Sequence, residues 1–289
     1  MLNLEDRTHS IRDLMTSWLQ RNKGKGPILL LLHGYPDTPN TFESLVSKLP
    51  KEWDLVIPWA RGTGPSEGNC STRRYGPDQV YQDTVKILKH VDPKEERKII
   101  VLGHDIGATH GWWIAERLGD RLGALIFWGG VSLDQYTQGL RQYKQLALSP
   151  FFGFMQIPFI PEVVIGILRK PLTRAGRQIG KDPLATETEG FLDLEACLQP
   201  INQYRACLRL LLTRPRNEKN KNIKAPILAI WGSEDPFISA PTKDQLDKDG
   251  TNITIRIIEG GHWIHKEKPD QVSDIIMNFL IENDVVCQA

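Results

Sequence analysis

Asp105 stands in the stretch V-L-G-H-D-I-G-A-T-H-G, Val101 to Gly111, after the apolar run Ile99-Ile100 and before a segment of helical pattern. The spacing Gly103-x-Asp105-x-Gly107 is that of a strand turning sharply into a helix with a nucleophile at the apex. Glycines sit where side chains would collide with the bent backbone. Such a turn places the carboxylate at the C-terminal edge of a sheet, beside a helix N-terminus that favours an anion. A plainer reading is that Asp105 only caps the following helix, since Asp is a favoured N-cap.

Three other segments bear on that choice. Asp235 in W-G-S-E-D-P-F follows one strand-like run, and His262 in E-G-G-H-W follows the last one. Taken singly, the first is a turn, because Asp-Pro often starts one, and the second is a loop histidine. Taken with Asp105 they give nucleophile, acid and histidine in a chain order known from catalysis, each after a strand. The third segment, H-G-Y-P from His33 to Pro36, follows the aliphatic run Ile28-Leu32. A loop there donates one backbone N–H to a developing oxyanion and the residue after the nucleophile donates another. These are the amides of Tyr35 and Ile106.

The elements that must position these groups are readable from pattern. Ile28-Leu32, Leu55-Ile57, Ile99-Leu102, Ala124-Trp128, Ile227-Trp231 and Ile253-Ile258 read as strands. Continuous apolar strands suggest a sheet covered on both faces, hence a parallel one. Helical faces lie between them: Val80, Thr84, Ile87, Leu88 and Val91, then Val272, Ile275, Ile276, Phe279 and Leu280. The alternation predicts an α/β fold with a mostly parallel, doubly wound sheet. It breaks over 132–222, where no buried strand is evident and prolines at 150, 158, 161 and 171 kink or break helices. This predicts a core at 1–131 and 223–289 with an inserted helical cap at 132–222. The basic return R-P-R-N-E-K-N-K-N-I-K reads as a solvated linker.

The 289 residues carry a formal net charge of +1 and are 40% hydrophobic and 25% charged, which gives no sign of a nucleic-acid partner. The four cysteines show no metal-ligand spacing. No apolar run approaches a membrane span, and the polar, acidic N-terminus lacks the pattern of a signal peptide. The expectation is a cytoplasmic protein with no membrane association and of undetermined oligomeric state.

HGYP, R-G-T-G-P-S from Arg61 to Ser66, GHDIG, the cap, GSED and GGHW together resemble an α/β-hydrolase of the epoxide hydrolase and haloalkane dehalogenase group, over nearly the whole chain. The resemblance implies that Asp105 displaces a leaving group at a saturated carbon and becomes an alkyl ester. His262, oriented by Asp235, then activates water that attacks the ester carbonyl, with the oxyanion hole holding the charge. No metal or organic cofactor is implied. Between epoxide and halide, the cap decides. I-N-Q-Y-R-A, Ile201 to Ala206, is similar to the family segment that carries a proton-donating tyrosine, which makes Tyr204 the acid. A second family tyrosine is expected where this chain has Phe151. The site then uses Tyr204 alone, or recruits Tyr136, Tyr143 or a histidine. Dehalogenases resembling this fold place Trp or Arg after the nucleophile, whereas Ile106 stands here. The expected substrate is a small apolar epoxide opened to a vicinal diol, in a pocket with His33, Pro36, His104, Phe151, Phe152 and Trp263 in its walls. The alternatives are a dehalogenase or other Asp-nucleophile hydrolase, and a non-catalytic binding protein on the same scaffold.

Overall fold

The computed structural model describes residues 9–10, 17–21, 25–64, 66, 71–140, 145, 147, 149–168, 198, 200–213, 223–241 and 253–286. Its strands are β1 (His9–Ser10), β2 (Ser17–Arg21), β3 (Lys25–Leu32), β4 (Trp53–Pro58), β5 (Ile99–His104), β6 (Leu122–Trp128), β7 (Ile227–Gly232) and β8 (Ile253–Ile258). They form one sheet in the order β1-β2-β4-β3-β5-β6-β7-β8. Strands β4 to β8 and β3 pair in parallel, and β1 and β2 extend the β4 edge antiparallel.

The aliphatic runs explain the parallel core. Along β3, Ile28, Leu30 and Leu32 join one apolar cluster while Leu29 and Leu31 join another. Strands β5, β6 and β7 alternate the same way, so both faces need cover. Helices α2 (Pro77–Val91) and α3 (Ile106–Leu118) cover the first face through Ile87, Leu88, Val91, Ala108, Trp112 and Ala115. Helices α1 (Glu43–Val46) and α8 (Pro269–Glu282) cover the second through Leu45, Val46, Val272, Ile276, Phe279 and Leu280. Both expected helical faces are present, with Val80 and Ile275 partly buried at their margins.

Between β6 and β7 the described residues are helical or irregular, with no strand among them. Helices α4 (Leu133–Gly139), α5 (Pro150–Phe154), a helical stretch at 160–168 and α6 (Ile201–Thr213) lie there. Met155, Ile165, Ile201, Tyr204 and Cys207 from these pieces pack with Tyr35, Ile106 and Trp113 of the sheet edge. The prolines act differently from expectation. Pro150 opens α5 in its first turn, where its missing N–H is not needed, and Pro161 sits at the second residue of the 160–168 stretch. Pro171 and most of the basic return lie outside the described residues. Strand β8 is an edge strand with Ile257 61% exposed, not a fully buried one. Among the described residues no helix is long and apolar enough to cross a membrane. The short α7 (Ile264–Glu267) links the β8 loop to α8.

Candidate active site

The turn from β5 into α3 leaves Asp105 at φ 53° and ψ −127°, outside the regions that L-residues ordinarily occupy. Close packing enforces it. A Cβ on Gly103 would lie 2.6 Å from Ala108 Cα, and one on Gly107 would lie 2.2 Å from the Leu32 carbonyl oxygen. The carboxylate makes no capping hydrogen bond to α3, so the capping reading fails. It accepts instead from the Tyr35 amide, at 2.9 Å to Oδ2, and from the amide of Ile106. The two expected oxyanion-hole donors therefore converge on Asp105 itself. The Tyr35-Pro36 peptide bond is cis.

Asp235 and His262 are delivered by the ends of β7 and β8. The Asp-Pro turn and the acid role prove compatible. Asp235 Oδ1 accepts from the amides of Phe237 and Ile238, and Oδ2 lies 2.8 Å from His262 Nδ1. The turn thus fixes one oxygen and aims the other. His262 Nε2 faces Asp105 Oδ1 at 4.0 Å. A neighbour to this loop explains Gly129: a Cβ there would fall 2.8 Å from His262 Cε1.

The electrostatics follow from burial and pairing. Burial raises the Asp105 carboxyl above its usual range, opposed by the charges of His262 and His104 and the two amides. Burial also opposes ionisation of Asp235, but the hydrogen bond with His262 and the amides of Phe237 and Ile238 hold it below its ordinary value. Burial works against the charged His262 too, yet Asp235, Asp105 and Asp37 outweigh it and raise its pKa. The set is a destabilised carboxylate beside a base whose cationic form has support on one side.

Tyr204 reaches the same centre from α6. It is buried, and its OH lies 3.4 Å from Asp105 Oδ2. Burial and the Asp105 charge push the phenol well above its usual value, so it stays protonated. Asp105, Tyr204 and His262 open on a cavity of about 370 Å³, whose walls include Pro36, Ile106, Phe151, Phe152, Phe237 and Trp263. Phe151 stacks edge-on against Tyr204 with ring centroids 5.8 Å apart, so it stands beside the donor without a proton to give. Tyr136 also reaches the cavity, but its OH donates to Ser149 Oγ at 3.1 Å. Tyr143 lies outside the described residues. Cys207, one turn along α6, lines the cavity as well, and burial and the Asp105 charge push its thiol up to about 12.

Two expected wall residues are elsewhere. His33 lies beneath the oxyanion loop, where Nδ1 bonds the Gly34 carbonyl and Nε2 accepts from the Ala60 amide. The bend at Gly34 turns the chain toward the cavity only at Tyr35, which leaves His33 behind it. His104, the last residue of β5, points away from the Asp105 carboxylate because side chains alternate along a strand. Its Nε2 meets the His262 carbonyl at 3.1 Å and its Nδ1 lies 3.3 Å from Asp37 Oδ2.

That contact belongs to a buried group that sequence reasoning missed. Asp37 Oδ2 accepts from Thr41 Oγ1 and from Trp263 Nε1, both at 3.0 Å. Trp128 Nε1 donates to His265 Nδ1 at 2.9 Å, and His265 Nε2 lies 2.9 Å from Thr41 Oγ1. Asp37, His104 and His265 bring donor atoms within 4.8 Å of one another, close enough to hold a cation. Asp37 and His265 bond to Thr41, Trp263 and Trp128, and His104 Nε2 meets the His262 carbonyl, so the cluster braces the loop carrying His262. The one sequence signal was the position of Asp37 directly after His-Gly-Tyr-Pro.

The family described as alpha/beta hydrolase fold matches residues 27–269. A mouse protein named epoxide hydrolase 4 is 30% identical over 279 residues, covering 90% of this chain and 74% of that protein. Epoxide hydrolase 3 of Xenopus tropicalis is 26% identical over 278 residues, covering 91% and 73%. Among solved structures, potato epoxide hydrolase I superposes with a TM-score of 0.73 at 20% identity, covering 96% of this chain and 99% of that one. With the strand-helix-strand order, the elbow and the two return loops in place, the chain belongs to the α/β-hydrolase fold family and is a hydrolase with epoxide hydrolases among its relatives.

Proposed function

We propose that this hydrolase opens a small apolar epoxide to a vicinal diol through an ester on Asp105. The observation that carries the reading is the placement of the Asp105 carboxylate: Oδ2 is held by the Tyr35 amide, Oδ1 faces His262 Nε2, and the Tyr204 OH stands over the same group. Oδ1 attacks an oxirane carbon, the carbon–oxygen bond breaks, and the released alkoxide takes the Tyr204 proton. Water then gives a proton to His262 Nε2 and its oxygen adds to Cγ of the ester. The amides of Tyr35 and Ile106 hold the resulting oxyanion. Collapse expels the diol oxygen, which takes a proton from His262, and the proton left on the Asp105 carboxyl returns to the Tyr204 phenolate beside it, so that Asp105 is again a carboxylate and Tyr204 again a donor. Asp235 supports the imidazolium formed between these steps.

In this reading residues 132–222 act as the cap, core segments 1–131 and 223–289 carry the other machinery, and the cavity walls select an uncharged substrate. The dehalogenase alternative is weakened by two features. Ile106 offers a halide no side-chain donor, and the indole N–H of Trp263 is engaged by Asp37. The deciding experiment uses His262→Gln with a panel of epoxides and haloalkanes and reads intact protein mass. The expected result is a gain equal to a whole epoxide, abolished by Asp105→Asn. A gain equal to an alkyl group without its halogen assigns dehalogenation instead. No adduct, with an inactive wild type, defeats the epoxide reading.

A further inference from the structure

Three consecutive residues of α6 hold three different partners. Tyr204 reaches Asp105. Arg205 ties α6 to the neighbouring helical stretch, with Nη1 and Nη2 at 2.5 and 3.1 Å from the Glu162 carboxylate and further bonds to the carbonyls of Met155 and Ile157. Gln203 turns the other way, into the core. It is 3% exposed, and its Nε2 donates to the Arg61 carbonyl at 3.3 Å. Arg61 is itself anchored on α2 by its ion pair with Asp83 at 2.5 Å. Successive helical residues project about 100° apart, so anchoring 203 and 205 on opposite flanks sets the direction and depth of 204.

Gln203 also forms part of a second cavity, of about 40 Å³, with Trp59, Arg61, Asp83 and His110 among its walls. Gln203 Oε1, Trp59 Nε1 and His110 Nε2 face burial with no hydrogen-bond partner among the described residues. Leaving such atoms unpaired is unfavourable, so a partner is expected. Their chemistry is complementary. The indole only donates and the amide oxygen only accepts. Burial pushes His110 down to about 3, so its ring is neutral and offers an acceptor nitrogen. A water molecule accepting from Trp59 and donating to Gln203 and to His110, in the tautomer that leaves Nε2 unprotonated, would match all three. The space exceeds what one water needs and is far too small for an organic ligand.

We propose that this small polar cavity is an internal solvent site, and that through it and the Arg61 carbonyl Gln203 acts as the positioning residue for Tyr204. The proposal rests on the epoxide-opening reading. Tyr204 gives its proton in ring opening and has no part in the attack of water on the ester. Loss of Gln203 therefore slows one half-reaction selectively.

The test is single-turnover kinetics on Gln203→Met, Trp59→Phe and the double variant, with ester formation and ester hydrolysis followed separately on an aryl-substituted epoxide. Gln203→Met is expected to slow ester formation about ten- to a hundredfold, the scale of misplacing a reacting group by an ångström or less, and to leave ester hydrolysis within twofold of wild type. Trp59→Phe should slow ester formation less, and the double variant should be no slower than Gln203→Met. Equal slowing of both half-reactions with a lowered melting temperature overturns the proposal in favour of a merely structural glutamine. Multiplying losses in the double variant overturn the shared solvent site. A wild type that forms no ester with any epoxide removes both this proposal and the functional reading, whereas an active wild type with unchanged ester formation in Gln203→Met removes only this one.

Discussion

Replacing Tyr204 by Phe isolates one proton. The ring of Tyr204 packs edge-on against Tyr35, Phe151 and Phe152 at centroid distances of 5.8, 5.8 and 6.3 Å, and Phe preserves all three contacts. What is lost is the donor to the leaving oxygen. A positioned general acid contributes about 10²–10⁴ in rate, which corresponds to about 3–5 kcal/mol in barrier height. The loss should fall toward the upper end here. Phe151 occupies the place of a second phenol, Tyr136 donates to Ser149, and the Cys207 thiol at about 12 sits low on α6 within the wall. The 3.4 Å contact with Asp105 Oδ2 is long and adds little. Ester formation is followed by stopped-flow fluorescence, using Trp263 in the cavity wall as reporter, and by quenched-flow protein mass. Tyr204→Phe should form ester at least a hundredfold more slowly, with ester hydrolysis nearly unchanged and thermal stability close to wild type. A reduction of less than threefold would falsify the assignment of Tyr204 as the donor.

Three other outcomes are expected. In H₂¹⁸O the first turnover of stoichiometric enzyme should yield unlabelled diol and put the label into the Asp105 carboxylate, read by peptide mass; label in the first diol points to direct water attack. Ester hydrolysis needs neutral His262, whose pKa is raised, so the rate should fall on the acid side through a pKa above 6.5. Asp235→Asn removes the charge that supports the imidazolium, and should move that limb to lower pH while lowering the plateau; a limb that stays in place shows that another group titrates. His110 has a folded-state pKa of about 3 against about 6.5 unfolded. The unfolded chain therefore binds this proton first, and stability is lost as pH falls from about 6.5 toward 3. At pH 5 the loss is about 2 kcal/mol, and His110→Gln should flatten the fall in unfolding free energy between pH 7.5 and 5, read from denaturant titrations, by that amount.

The sheet was legible because its strands are buried on both faces. Runs such as Ile28-Leu32 and Ala124-Trp128 have little alternative to a covered parallel strand. Strands β1 and β2 escaped notice because they are short and mixed in sequence, as in Ser17–Arg21, and lie at the antiparallel margin of the sheet. The candidate site groups were legible for a related reason: Asp105, Asp235 and His262 each follow a strand and sit among glycines or beside a proline, which leave marks in sequence. His33 and His104 were misplaced as cavity walls because their motifs fix position along the chain and not which way the side chain turns. The Asp37, Thr41, Trp128 and His265 group is assembled from the segment after β3, from β6 and from the short α7, and no spacing in one dimension announces a contact between positions 41 and 265. The role of Gln203 was hidden similarly, since its partner is a backbone carbonyl at residue 61.

The parallel pairing of β6 with β7, Leu125 opposite Ile227, requires the chain to travel back the length of the sheet before it can continue. A parallel neighbour always demands such a crossover, ordinarily of a dozen residues or more. Here the chain between Trp128 and Ile227 makes that crossover, and its described helices bring Phe151 and Tyr204 beside Asp105. The closure entropy of a connection grows only with the logarithm of its length, about 0.6 kcal/mol per doubling. The sheet is therefore nearly indifferent to how long this connection is or which side chains it carries. Asp105, Asp235 and His262 stand on the indifferent part and Tyr204 and Phe151 on the variable one. On the proposed reading, change in the connection alters which molecule is opened and how its leaving oxygen is met, while the groups that would form and cleave the ester stay where they are.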